Sequence, residues 1–159
     1  LAEIVILKGL KAMSTSPASR PLRIFLCYAS EDKSTIHDLY NRLSAEYFID
    51  PWLDEKKLLG GQDWDLEIRR ALRRSDAVVI CLSQRSVSKV GYVNKEIKRA
   101  LDIADEQPEG TIFIIPLKLD VCETPDRLSG FQWIKYFMPD GYDHLIESLH
   151  TCADALGII

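Results

Sequence analysis

Six consecutive apolar residues, Ala77 to Leu82, limit what this chain can fold into more than any other stretch. A strand with one wet face alternates apolar and polar side chains, so a run with no polar position belongs inside a sheet covered on both sides. Two similar runs stand before and after it, Ile24 to Tyr28 and Thr111 to Leu117. Helical patterns separate the runs. After the first comes a stripe of Ile36, Leu39, Tyr40, Leu43 and Tyr47, with Ser30-Glu31-Asp32 ahead of it supplying capping oxygens and acid. After Leu82, Val93, Ile97, Ala100, Leu101, Ile103 and Ala104 fall on one face of a helix opening at Gly91 and running to about Asp105.

The remaining elements fit the same rhythm. Phe48 to Leu53 reads as a strand, and Pro51 confines it to an edge. A helix from about Gln62 to Arg74 is expected to pack Trp64, Ile68, Ala71 and Leu72. Its acids, Asp63, Asp65 and Glu67, come early and its arginines, Arg69, Arg70, Arg73 and Arg74, come late, which complements the helix dipole. Gln132 to Tyr136 reads as a short fifth strand, and Tyr142 to Leu156 as a last helix burying Tyr142, Leu145, Ile146, Leu149, Ala153 and Leu156. Five strands joined by right-handed crossovers predict an α/β, flavodoxin-like, doubly wound parallel sheet of order 2-1-3-4-5 with helices on both faces.

A chain of 159 residues, 47% hydrophobic and 28% charged, suits one globular domain with a core of its own. Residues 1–21 divide from it: Met13 to Pro21 has the Ser/Pro-rich composition of a linker, and the domain is expected to span 22–156. The chain begins at Leu1 rather than at methionine, as a fragment of a longer protein would. A net charge of -4 gives no basic field, which argues against direct nucleic-acid binding as the main task. No apolar run has the length of a membrane span, and no secretory signal pattern opens the chain. Cys27, Cys81, Cys122 and Cys152 stand too far apart for a zinc signature, and Cys27 and Cys81, inside apolar runs, suit buried side chains in a reducing cytosol better than disulfides.

In doubly wound sheets ligands collect at the carboxyl ends of the strands, beside the point where strand order reverses. That rule singles out Tyr28 to Ser30, Asp54 and Ser83, and lets Glu96 hang over the same rim from the helix that follows. Glu96 projects between Ala100 and Ile103 at the edge of the apolar face, with Tyr92 one turn earlier on the same side. A carboxylate there is partly desolvated, and needs either a structural partner or a chemical task. Both readings stay open for Glu96, as does core packing for Tyr28, loop capping for Asp54 and helix capping for Ser83. Phosphoryl acceptance is excluded, because the third strand ends Cys81-Leu82-Ser83 without an aspartate. No glycine-rich phosphate loop is present, and His37, His144 and His150 fall in helical patterns away from the strand ends.

Four boxes in order resemble the TIR (Toll/interleukin-1 receptor) domain family over about residues 22 to 150. They are Phe25-Leu26-Cys27-Tyr28-Ala29-Ser30-Glu31-Asp32, the Trp52-Leu53-Asp54-Glu55 to Leu58-Leu59-Gly60-Gly61 loop, Leu82-Ser83, and Gly91-Tyr92-Val93-Asn94-Lys95-Glu96-Ile97. The second box is similar to the family's BB loop. The resemblance implies one of two activities: a non-enzymatic adaptor that signals by TIR-TIR assembly, or an enzyme that hydrolyses NAD+ at the nicotinamide-ribose bond, in some members also cyclising the remainder. The enzymatic branch uses a glutamate preceded one turn earlier by an aromatic, in a pattern like Trp-x-x-x-Glu. Tyr92 to Glu96 matches it with tyrosine in the aromatic place.

By that resemblance Glu96 is the catalytic carboxylate, and Tyr92, Asp54, Ser83, Tyr28 and Ser30 border the substrate. Lys56, Lys57, Leu58, Leu59, Gly60 and Gly61 form an assembly surface. NAD+ is substrate, with no prosthetic group and no metal expected. Other TIR subunits, in a homo-oligomer or filament, and an upstream sensor are the implied partners, with no membrane. The bacterial look of the sequence resembles TIR effectors of anti-phage defence.

Overall fold

The computed structural model describes residues 20–53, 58–88, 92–106, 108 and 113–158, and within 92–96 the backbone alone. Strands β1 (Leu22–Cys27), β2 (Ile49–Trp52), β3 (Ala77–Leu82), β4 (Phe113–Lys118) and β5 (Ile134–Lys135) form one parallel sheet of order β2-β1-β3-β4-β5. This is the expected flavodoxin-like arrangement. The Ala77 to Leu82 run is β3, with every residue buried, between β1 and β4. Pro51 sits on edge strand β2, as its missing N–H requires. Pro116 is tolerated inside β4 because pairing with β5 begins only at Leu117, which leaves β4 a neighbour on one side there.

Alternation along the strands explains why the apolar runs have no polar break. Leu22, Ile24, Leu26, Ala77, Val79, Cys81, Ile115 and Leu117 point into one core, beneath helices α1 (Lys33–Ser44) and, to be reached last in the chain, α5 (Gly141–Ala155). Phe25, Cys27, Val78, Ile80, Leu82 and Ile114 point into the other. There they meet α2 (Trp64–Arg74) and α4 (Tyr92–Glu106), which follows a single short helix, α3 (Gln84–Ser88). Both sides of β3, and of β1 and β4 over most of their length, are therefore dry, whereas edge strands β2 and β5 expose Asp50 and Lys135. Cys27 and Cys81 are buried in different cores, on opposite sides of the sheet, and form no disulfide among the described residues.

Two expectations about packing fail. Tyr47 lies in the turn beyond Ser44 and is 82% exposed, outside the α1 stripe. Trp64 is the first residue of α2 and is 51% exposed, so the buried face begins one turn later, with Ile68 and Leu72. The helix through Glu96 keeps its expected face: Ile97, Ala100 and Ile103 are buried, with Leu101 and Ala104 packed beside them. The late arginines of α2 are largely neutralised, Arg69 by Asp65 at 2.8 Å, Arg70 by Glu67 at 3.1 Å and Arg73 by Glu106 at 3.6 Å. Among the described residues, no helix is long and apolar enough to cross a membrane.

The N-terminal end of the sheet is tied by Asp76. Its buried carboxylate accepts two hydrogen bonds from Arg20, at 2.6 and 2.9 Å, and one from the Arg23 backbone N–H at 2.8 Å. Residues 1–19 of the expected linker lie outside the described residues.

Candidate functional site at the carboxyl rim

Strand order reverses between β1 and β3, and the chain leaves these two strands toward opposite faces. After β1 it enters α1, in the first core, whereas after β3 it reaches α4, in the second. In sheets of this kind the segments that depart in this way part over the strand ends, and the crevice between them is where ligands collect.

Two buried polar side chains meet at the crevice. Ser83, immediately after β3 and 3% exposed, donates its hydroxyl to Asp32 Oδ2 at 2.8 Å. Asp32 closes the 3-10 turn Ser30–Asp32 that follows β1, and its backbone N–H donates to Ala29 O at 2.9 Å. Although Asp32 stands at the N-cap of α1, its carboxylate makes no cap bond, since it is turned across the crevice to Ser83. Burial raises the Asp32 pKa; the Ser83 hydrogen bond opposes this, Asp120 and Glu31 add to it, and Arg85 lowers it again.

Ser83 also opens α3. Its Oγ accepts from Ser86 N–H at 3.2 Å, and Ser86 Oγ in turn accepts from Ser83 N–H at 2.8 Å. Asp120, two residues past β4, accepts from Gln84 N–H at 2.8 Å. The Gln84 and Ser86 amides at the start of α3 are thus satisfied by side chains from two strand ends. Ser83 thus makes the helix-capping bond that the capping reading required, and its hydroxyl also holds Asp32.

The other expected site residues distribute as follows. Ser30 is exposed on the β1 side of the crevice, and Tyr28 is half-buried against the core beneath α1 and α5. Tyr92 and Glu96 belong to the first turns of α4, but their side chains lie outside the described residues, as do Asp54, Lys56 and Lys57 altogether. Position 96 shares an i, i+4, i+7 stripe with Ala100 and Ile103, which are 1% and 4% exposed. Leu58 is half-buried and Leu59 is 72% exposed. The turn through Gly60 and Gly61 is closed by Leu59 N–H to Gln62 Oε1 at 2.6 Å and by Gln62 N–H to Leu59 O at 3.2 Å. Gly61 has φ +86, a backbone that favours glycine. Leu59, Trp64 and Leu66 give this end of the molecule three exposed large apolar side chains.

Sequence reasoning missed Asp32 and Asp120 as rim residues. Asp32 was legible only as a helix-capping acid, since nothing along the chain says that its partner stands fifty-one positions later.

This architecture, a doubly wound sheet with a polar crevice at the reversal point, defines a class shared by many activities. Within it the pattern of the TIR domain matches residues 24–149, and the chain belongs to the TIR domain family. Solved structures agree in fold. The TIR domain of the Toll-related receptor TRR-2 from Hydra magnipapillata is similar at TM-score 0.64 and 19% identity, covering 80% of this chain and 97% of that one. The TIR domains of the activated Roq1 resistosome directly recognizing the pathogen effector XopQ give 0.55 and 20%, covering 87% and 85%. A prokaryotic SEFIR domain gives 0.56 and 15%, covering 81% and 96%. No curated protein matches the chain.

Proposed function

We propose that this TIR domain hydrolyses NAD+ at the nicotinamide-ribose bond, with Glu96 as its catalytic carboxylate. One observation carries the reading: position 96 heads the stripe of α4 whose next members, Ala100 and Ile103, are buried, and Tyr92 precedes it by one turn. A carboxylate at the edge of a buried stripe is costly to desolvate, so it calls for a partner or a chemical task, and a sugar cation supplies the second.

Cleavage breaks the bond between ribose C1′ and the nicotinamide nitrogen, and the bonding pair leaves with nicotinamide. The ribose is left as an oxocarbenium-like cation, which a nearby carboxylate stabilises while holding the ribose hydroxyls. Water then adds to C1′ and sheds a proton to solvent, giving ADP-ribose; capture by a nitrogen of the same molecule gives a cyclic product. Tyr92 borders the substrate. Ser30, just past β1, and Asp54, two positions after β2 along the chain, are its polar contacts, and the Asp32–Ser83 pair braces the ends of β1 and β3.

Assembly with other TIR subunits through the loop ending at Gly61 is part of the same reading. It is supported by the exposed Leu59, Trp64 and Leu66. The Roq1 TIR domains, found in an activated resistosome, offer a precedent for this fold in an assembled state. An assembly-activated effector of anti-phage defence, governed by an upstream sensor, fits the resemblance. The exposed patch alone equally suits an adaptor that only assembles. Incubating concentrated protein with NAD+ and separating the products distinguishes them: free nicotinamide with ADP-ribose or its cyclic isomer supports the enzyme, and intact NAD+ leaves the adaptor.

A further inference from the structure

A second cavity lies away from the rim, between edge strand β2 and helix α2. It holds about 310 Å³, within the range of small-molecule sites, and is lined by Arg23, Asp50, Trp52, Glu67, Arg70 and Arg74, with Ile24, Ala71 and Ser75. Its chemistry is uneven. Glu67 is engaged by Arg70 at 3.1 Å, whereas the guanidiniums of Arg23 and Arg74 make no ion pair among the described residues. They come from two different elements, the start of β1 and the last turn of α2. Trp52 brings a large flat ring, held in place by stacking on buried Phe25 with centroids 4.9 Å apart and planes at 14°.

Two guanidiniums without an ion pair among the described residues, beside a fixed indole, make a recognisable pair of demands on a ligand. Guanidinium forks match phosphate oxygens, and an aromatic plane offers a stacking surface to a planar base. Asp50, pairing in register with Arg23 across the β1–β2 ladder, adds an acceptor for hydroxyl or amine hydrogens. We propose that this cavity binds a mononucleotide, with phosphate on Arg23 and Arg74 and the base against Trp52. The volume sits at the lower end of the small-ligand range, which favours one nucleotide unit over a dinucleotide.

The site is independent of Glu96, and its test separates the two. Adenosine 5′-monophosphate, adenosine and inorganic phosphate are titrated into the full chain by calorimetry. The monophosphate is expected to bind with a Kd of about 0.1–1 mM, and each fragment at least about tenfold more weakly. Arg23→Gln with Arg74→Gln weakens the monophosphate at least about tenfold, with the melting temperature checked in parallel. Trp52→Phe, which keeps a ring on Phe25, retains most of the binding. Glu96→Ala leaves it unchanged. Absence of binding by the monophosphate overturns the proposal, as does equal binding by inorganic phosphate or by the double arginine variant. Loss with Glu96→Ala alone moves the ligand to the α4 site and also overturns it.

Discussion

Asp32 is an acid kept where water scarcely reaches, with one serine hydroxyl for company, and its consequence is a pH dependence. Because burial raises its pKa above the ordinary 3.8, the folded protein holds this proton more tightly than the unfolded chain does. The stabilising contribution is complete below 3.8 and is lost as pH rises through the raised folded value, so at neutral pH the charged carboxylate weighs against folding. Asp32→Asn keeps an oxygen for the Ser83 hydroxyl and removes the charge. Thermal melts across pH should show the variant more stable than wild type at pH 7, with the gap closing toward acid. A variant less stable at pH 7, with an unchanged pH profile, contradicts the assignment. Gly141 makes a different residue-scale case. A Cβ there would run into the Lys135 carbonyl oxygen and lie 2.6 Å from Tyr136 O and 2.7 Å from Tyr136 Cα. All three are backbone atoms that cannot swing away, so Gly141→Ala should cost about 1–3 kcal/mol in denaturant unfolding. A midpoint equal to wild type contradicts that packing.

At the scale of elements, the legible parts are those where chemistry and periodicity coincide. Ala77 to Leu82 delimits β3 without error, because polar Asp76 and Ser83 close an unbroken apolar run. For β1 the expected Ile24 to Tyr28 becomes Leu22–Cys27, since Arg23 interrupts the run while its backbone N–H still pairs with Asp76. Tyr47 and Trp64 were misplaced for a related reason: a helical stripe continues on paper past the point where the helix ends or docks. The rim was legible as a location and not as a network, because the reversal of strand order can be read along the chain and the Asp32–Ser83 contact cannot. Asp76 belongs to the same class of hidden element-scale joints. Asp76→Ala strips three hydrogen bonds from the start of β1 and should destabilise the fold by about 2–3 kcal/mol, read as a lowered urea midpoint. An unchanged midpoint would show that the Arg20 segment is not anchored there.

At the scale of the whole molecule, the proposed activity is tied to assembly through a surface that carries exposed Leu59, Trp64 and Leu66. Nicotinamide release per subunit should therefore rise with protein concentration. Leu59→Glu should lower it at least about tenfold at a fixed concentration, while altering stability by no more than about 0.5 kcal/mol, as expected for an exposed site. Activity per subunit that is flat across concentration and indifferent to Leu59→Glu would separate catalysis from assembly. Beneath all of this stands the identity of the group that stabilises the ribose cation. The most direct measurement is nicotinamide release from NAD+ by wild type and Glu96→Gln at matched, assembling concentrations, with circular dichroism recorded on both. The account predicts release by wild type and none above background by the variant, with superimposable spectra; equal release by the two would contradict it.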